Sequence, residues 1–293
     1  MTLQQEVAGR GRRRAHLADL VRNISYEVMP FKNTERDVVA TVPVSVPLTV
    51  TVTEAKGIDT TLALTERLLG HGYSVAPHLP ARQFANTRHV GEVVDRLREA
   101  GVRSVFVVGG DAPEPVGEFA DAHALLQAME AHGHPFTEVG IGGYPEGHAR
   151  IPQEAIDLAL KQKAPLATRV ITQICFDATT TSTWAARIAA CGVGLDVHVG
   201  MPGPVNRQKL MRISAGIGLG QSARFLQKQR SLAWRFLMPG GYNPTKLAKR
   251  LGAAVPRTDS NIRGLHIFTF NELAGTERWR RSLLASIGGE DRR

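Results

Sequence analysis

Eight short, almost wholly apolar stretches recur along this 293-residue chain, and segments with helical spacing fill the intervals. The stretches are Ile24–Met29, Leu48–Thr53, Tyr73–Pro77, Ser104–Gly109, Thr137–Gly142, Arg169–Phe176, Leu195–Val199 and Gly264–Phe270. Most run continuously apolar, as in VFVVGG, rather than alternating. That is the pattern of strands covered on both faces, as in a parallel sheet. Helical spacing marks Thr60–Leu69, Val90–Ala100, Phe119–His132, Ile156–Lys163, Thr181–Cys191, Gln208–Ala215, Leu219–Leu226 and Leu273–Ser286, with Gly101 and Gly133 as stops. Eight strands alternating with helices over about 265 residues is the arithmetic of an α/β (β/α)8 TIM barrel. A doubly wound sheet would want a G-x-G-x-x-G turn after its first strand, and that turn reads MPFKNTERD. The stretch Leu219–Asn261 exceeds one helix and is expected to hold two, broken at Pro239–Gly241. The expected organisation is one barrel over residues 21–288, preceded by a flexible basic segment, residues 1–20.

Composition narrows the function classes. Hydrophobic residues make up 43%, enough for a core of this size. Two cysteines exclude a disulfide scaffold and a Cys-rich zinc module. No apolar run approaches the roughly 18 residues of a membrane span, and the N-terminus has arginines without an apolar h-region. The chain therefore reads as a cytoplasmic protein without a membrane partner. Its 36 basic and 27 acidic residues leave a net charge of +9, which asks for an anionic partner. Nucleic acid would want a basic stripe or arm. The denser spots are Arg10–Arg14 and Arg278–Arg281, near the two ends, and such spots are more often solvated surface. With 6% aromatic residues there is little for base stacking, so no nucleic-acid partner is expected. Oligomeric state has no motif here, and a monomer suffices.

Barrel chemistry sits at the C-terminal ends of strands. Polar residues collect there: Glu27, Thr53 and Glu54, His78, Asp111, Tyr144, Glu146 and His148, Thr172, Gln173 and Asp177, and Thr269, Asn271 and Glu272. Each has a plain structural reading. A strand-borne Glu can be an ion-pair partner, Asp111 after two glycines can be a turn former, and His78 and His148 can be hydrogen-bonded structural histidines. The set argues for a site only jointly. No His/Asp/Glu pair has helical ligand spacing, so no metal is expected.

In order along the chain these segments resemble the methylenetetrahydrofolate reductase family. ISYEVMP is similar to its opening S-F-E-F-F-P-P, TVTEAKG to its V-T-Y-G segment, and VAPHLP to its P-H-L-T turn. VVGGDAP is similar to A-L-R-G-D-x-P, GGYPEGH to A-Y-P-E-x-H, ITQICFD to I-T-Q-F-F-F-D, and GLHIFTFN to G-x-H-F-Y-T-L-N. The resemblance implies a (β/α)8 barrel that reduces 5,10-methylenetetrahydrofolate to 5-methyltetrahydrofolate. It implies Glu27 as general acid, Asp111 facing the pterin and the hydride donor, and Gln173 hydrogen-bonded to the pterin; Asn271 is expected to contact folate. For Glu27 to donate a proton near neutral pH its pKa must be raised, a task expected of its neighbours Tyr26 and Val28.

Members of the family usually relay hydride through FAD, and this chain departs from them where the flavin is held. The Arg of A-L-R-G-D is a glycine, Gly109 or Gly110. The basic, Asn-containing helix reads LALKQKAPLA: the Asn is gone, Gln162 replaces the middle Arg and Pro165 interrupts the segment. Glu54 and Ala55 replace the Tyr and Gly of V-T-Y-G, and Glu272 replaces the Arg after the last Asn. The chain resembles the divergent, flavin-independent type of the family. The expectation is direct hydride transfer from NADH, with Thr53, Glu54, Lys56, His78, Arg82, Tyr144 and His148 as cofactor contacts and Lys56 or Arg82 on its diphosphate. NADPH in place of NADH, an FAD enzyme with remodelled contacts, and a basic nucleic-acid-binding or regulatory barrel are the alternatives.

Overall fold

The computed structural model describes residues 3–53, 56–148, 151–205, 242–254 and 261–289. Eight parallel strands close a barrel in sequence order. They are β1 (Ile24–Val28), β2 (Leu48–Val50), β3 (Val75–Pro80), β4 (Ser104–Val108), β5 (Glu138–Gly143), β6 (Arg169–Thr172), β7 (Asp196–Pro202) and β8 (Ile262–Phe268). The helices among the described residues are α1 (Leu3–Arg22), α2 (Thr34–Thr41), α3 (Gly57–Gly70), α4 (Thr87–Glu99), α5 (Ala122–His132), α6 (Gln153–Lys163), α7 (Ala178–Ala190), α8 (Thr245–Ala254) and α9 (Leu273–Gly289). None of them is long and apolar enough to cross a membrane. The (β/α)8 expectation holds.

Successive side chains of a strand point to opposite faces, and the two faces here differ in kind. The outward set includes Tyr26, Val28, Val75, Leu79, Val105, Val107, Val139, Ile141, Val170, Val197, Val199, Leu265 and Ile267, all in the main apolar core with the helices. The inward set is richer in polar, aromatic and glycine residues, with Ala76 and Ile171 among its aliphatic members. It contains Ser25 and Glu27, Thr49, His78, Ser104 and Phe106, Arg169, His198, His266 and Phe268. A barrel interior is more often filled by layers of Val, Ile and Leu. Glycines make room for these rings. A Cβ on Gly140 would stand 2.9 Å from Phe106, one on Gly264 2.9 Å from His198, and one on Gly200 2.9 Å from Phe268.

Local chemistry sets the helix ends. Asn86 accepts from His89 N at the start of α4, and Asp121 accepts from His123 N and Ala124 N at the start of α5, three residues after the expected Phe119. Gly133 closes α5 in the left-handed conformation, φ 76°. Helix α2 was not expected, because TERDVVAT buries only Thr34 and Val38. Helices expected at Gln208–Ala215 and Leu219–Leu226 lie outside the described residues.

Of the segment expected to be loose, the described residues belong to a helix. Helix α1 starts at Leu3, and Leu17, Ala18, Leu20 and Val21 are buried against the barrel. Leu17 lies against Gly252 of α8, and Arg14 donates to Ile287 O of α9. The arginines dominate the composition of the segment, but the short apolar run LADLV seats it. The basic spot near the C-terminus is structural as well. Arg280 (2.8 Å) and Arg281 (2.7 Å) hold Glu277, which accepts a 3.0 Å hydrogen bond from the buried Tyr26 hydroxyl.

Candidate active site

The site is built around one carboxylate on the inner face of β1. Glu27 lies inside the barrel with 16% of its side chain reaching solvent. Two imidazoles flank it. His78 Nε2 from β3 and His266 Nε2 from β8 are each 3.6 Å from the same oxygen, Glu27 Oε2. Among the described residues both Nε2 atoms are buried without a hydrogen-bond partner, and so is the hydroxyl of Thr49, the register partner of Glu27 on β2. His266 is oriented from behind by Ser25, Oγ to Nδ1 2.9 Å. His78 stands edge-on to Phe106, centroids 4.7 Å apart, and Phe106 fits only because Gly140 has no side chain.

Burial is the dominant electrostatic fact. It pushes the Glu27 carboxyl above the ordinary carboxylate range, with His78 a smaller opposing influence. It also pushes the imidazole of His78 down to about 4, against the pull of Glu27 and with help from His266. His266 falls to about 3, through burial and then the Arg169 charge. The arrangement is a carboxyl pushed toward its acid form beside two imidazoles pushed toward their neutral form. The apolar neighbours expected to raise the Glu27 pKa do not face it. Tyr26 and Val28 point outward, and the desolvation comes from the rings inside the barrel.

Asp111 follows β4 in an exposed loop, where Gly110 has φ 91° and passes over Pro80. Arg82 braces that loop by donating to the carbonyls of Ala112 (2.9 Å), Pro113 (3.0 Å) and Ala120 (3.0 Å). Three of its donors are thereby committed to backbone as a clamp on this loop. Asp111 acts on Tyr144 across the strand ends. Burial and then the Asp111 charge push the Tyr144 hydroxyl up. Tyr144 in turn stands edge-on to His148, 5.4 Å between centroids.

The other expected residues divide. Gln173 is exposed at the end of β6, its Oε1 turned back to accept from Ile174 N, 2.9 Å. Lys56 Nζ donates to Pro30 O, 2.8 Å, and lies 5.1 Å from the Phe31 ring, so it secures the loop after β1. The Thr53 carbonyl accepts from Lys56 N and Gly57 N. Glu54 lies outside the described residues. Asn271, the expected folate contact, is bonded within the chain. Its Oδ1 accepts from Met29 N (2.9 Å) and its Nδ2 donates to Met29 O (3.0 Å) and Thr34 Oγ1 (2.8 Å). Its amide fastens the end of β8 to the start of α2. Phe270 (φ 49°) and Asn271 (φ 57°) are the non-glycine residues with positive φ among those described.

Sequence reasoning passed over His266, Ser25 and Thr49. The available signal was alternation: Ser25 and Glu27 share a face of β1, and His266 is the register partner of Ser25 on β8. Among the described residues, no group of three or more His, Cys, Asp or Glu could hold a metal ion.

Known proteins that resemble the chain identify its family. The family model described as Methylenetetrahydrofolate reductase matches residues 12–216, more than half of the chain. The chain is similar to Methylenetetrahydrofolate reductase 1 of Schizosaccharomyces pombe, 25% identical over 126 residues, which is 40% of this chain and 21% of that one. It is similar to Methylenetetrahydrofolate reductase 2 of Saccharomyces cerevisiae, 24% identical over 123 residues, 38% of this chain and 20% of that one. The match thus spans about a fifth of the length of these curated relatives. Among solved structures, an oxaloacetate acetylhydrolase in complex with 3,3-difluorooxalacetate superposes with a TM-score of 0.50 at 11% identity, over 94% of this chain and 85% of that one. That likeness is one of fold alone.

Proposed function

Because the chain belongs to the methylenetetrahydrofolate reductase family, we propose that it reduces 5,10-methylenetetrahydrofolate to 5-methyltetrahydrofolate with hydride taken directly from NADH. The observation that carries the reading is the buried Glu27 carboxyl between two neutral imidazoles. Opening the folate's five-membered ring requires a proton on N10. A desolvated carboxyl that keeps its proton toward neutral pH is the general acid for that step. Ring opening leaves an iminium cation at N5, and the methylene carbon then accepts hydride. Asp111, exposed on the loop after β4, supplies an anion toward that cation.

The flavin segment supports the direct route. The residues that the resemblance sets against flavin phosphates lie at the end of α6 and in the single 3-10 turn Ala164–Leu166. Burial lowers the Lys163 amine pKa, and the nearest opposing influence is Asp121. A desolvated lysine beside Gln162 and Pro165 is a poor cradle for a diphosphate, so these residues do not fit the flavin. The excess positive charge of the chain suits two anionic substrates at one barrel mouth, since such a field raises their local concentration.

The test uses purified protein. The expected result is no flavin absorbance in the visible range and NADH-dependent folate reduction without added flavin. Glu27→Gln should lower turnover by on the order of 10²-fold or more, as loss of a general acid does, with NADH binding kept. A tightly bound flavin that activity requires would replace the direct route with the flavin route. Salt-sensitive DNA binding together with indifference to Glu27→Gln would favour the nucleic-acid-binding alternative.

A further inference from the structure

We propose that His78 is a positioning residue that reloads Glu27 with its proton after each turnover, rather than a contact to the nicotinamide cofactor. The inference deepens the proposed reductase reading and rests on it.

The argument is one of donors and acceptors. Glu27 Oε2 faces two imidazole Nε2 atoms at 3.6 Å, both buried and, among the described residues, both without another partner. These distances lie slightly beyond hydrogen-bond length, the looseness usual before substrates tighten a site. A carboxylic acid oxygen can accept one hydrogen bond and donate one. With the acid proton of Glu27 on Oε2, one imidazole must accept it, and the other can donate to the same oxygen. Ser25 decides which is which. It is buried, and among the described residues its hydroxyl meets only His266 Nδ1, at 2.9 Å. A buried hydroxyl proton left without an acceptor costs free energy, so Ser25 donates to Nδ1 and His266 carries its own proton on Nε2. His266 is then the donor to Oε2. His78 is left as the acceptor, its Nε2 lone pair taking the acid proton of Glu27.

After Glu27 gives that proton to folate N10, its carboxylate keeps the His266 hydrogen bond and faces the His78 lone pair. A proton from water taken up by His78 makes an imidazolium beside the carboxylate. Transfer from His78 Nε2 to Glu27 Oε2 restores the acid and the neutral imidazole. One proton enters from water for each proton delivered to N10, and no electrons move. His266 is the poorer base for this task, because Arg169 adds to its burial in holding it neutral. Phe106 on β4 stands edge-on to His78 and carries no charge, and among the described residues the titratable groups that act on His78 are Glu27 and His266.

The test is rapid mixing of full-length protein carrying His78→Phe with NADH and methylenetetrahydrofolate, following NADH absorbance. Enzyme equilibrated beforehand has its acid loaded. The expected trace is a first turnover near the parent rate, then a steady state slower by on the order of 10-fold or more. The KM values should stay within about twofold, and added imidazole should restore the steady state. His78→Gln preserves polarity but cannot relay a proton, and it should give the same burst; it decides the matter if the Phe variant fails to fold. A first turnover slowed as much as the steady state, without imidazole rescue, would overturn the inference and make His78 a shaping residue. A raised KM for NADH with unchanged kcat would overturn it in favour of a cofactor contact. Full turnover in Glu27→Gln would instead remove the general-acid reading itself, and this inference with it.

Discussion

Replacing Gly140 with alanine would place a methyl group 2.9 Å from Phe106 Cδ2, inside the barrel. An ordinary carbon–carbon contact is roughly 3.5–4.0 Å, so the ring must retreat by roughly 0.6–1 Å. Overpacking of this kind costs roughly 1–3 kcal/mol. At this size each kcal/mol lowers Tm by roughly 2–4 °C. The functional consequence follows from what Phe106 touches. Its ring meets the edge of His78 at 4.7 Å, and His78 Nε2 is 3.6 Å from Glu27 Oε2. A catalytic group misplaced by 1 Å can cost on the order of 10²-fold, so partial transmission of the shift predicts a kcat lower by roughly 10-fold. Thermal denaturation reads the first effect, and steady-state NADH oxidation with methylenetetrahydrofolate reads the second. Adding Phe106→Leu to the variant relieves the overlap and should recover most of the Tm. A Tm that falls as expected while kcat stays within about twofold of the parent would refute the chain of contact from Gly140 to the acid.

Glu27 links stability to pH with a definite sign. Its folded pKa is raised, so stability is lost as pH climbs from the ordinary carboxylate value of 4.5 through the raised one. Thermal melts of Glu27→Gln across pH should show the variant gaining on the parent toward alkaline pH; a constant offset would contradict the burial argument. His78 works on the acid side. Its pKa falls from 6.5 to about 4, so stability drains away as pH drops below 6.5 toward about 4, and His78→Phe should flatten that limb of the melting curve. Glu277→Ala strands the buried Tyr26 hydroxyl and the Arg280 guanidinium, and urea unfolding should report a loss of about 3–5 kcal/mol; a loss under about 1 kcal/mol would show that the cluster is not coupled. Asn271→Ala removes three hydrogen bonds and puts alanine at φ 57°, for an expected loss of about 2–4 kcal/mol. Asn271→Gly should lose less, because glycine accepts that backbone.

The barrel itself was legible in the chain. Eight apolar stretches at regular intervals leave few ways to bury strands on both faces, and closure into a ring with helices outside is one that spends no strand on an edge. Glu27 was legible for a related reason, since a carboxylate inside an apolar strand is costly unless used. Individual roles were another matter. Arg82, Lys56 and Asn271 stand near the strand ends as expected, yet they clamp the loop after β4, the loop after β1 and the start of α2. A polar residue at a strand end reads the same in sequence whether it meets a ligand or a backbone carbonyl. His78 and His266 are 188 positions apart, and only closure of β8 onto β1 brings both to Glu27 Oε2. Sequence determined the period of the strands and the place of a carboxylate, Glu27, within the first of them, because these depend on neighbours along the chain. The tertiary structure decided the partners of that acid and its desolvation, because both depend on which strands meet across the barrel.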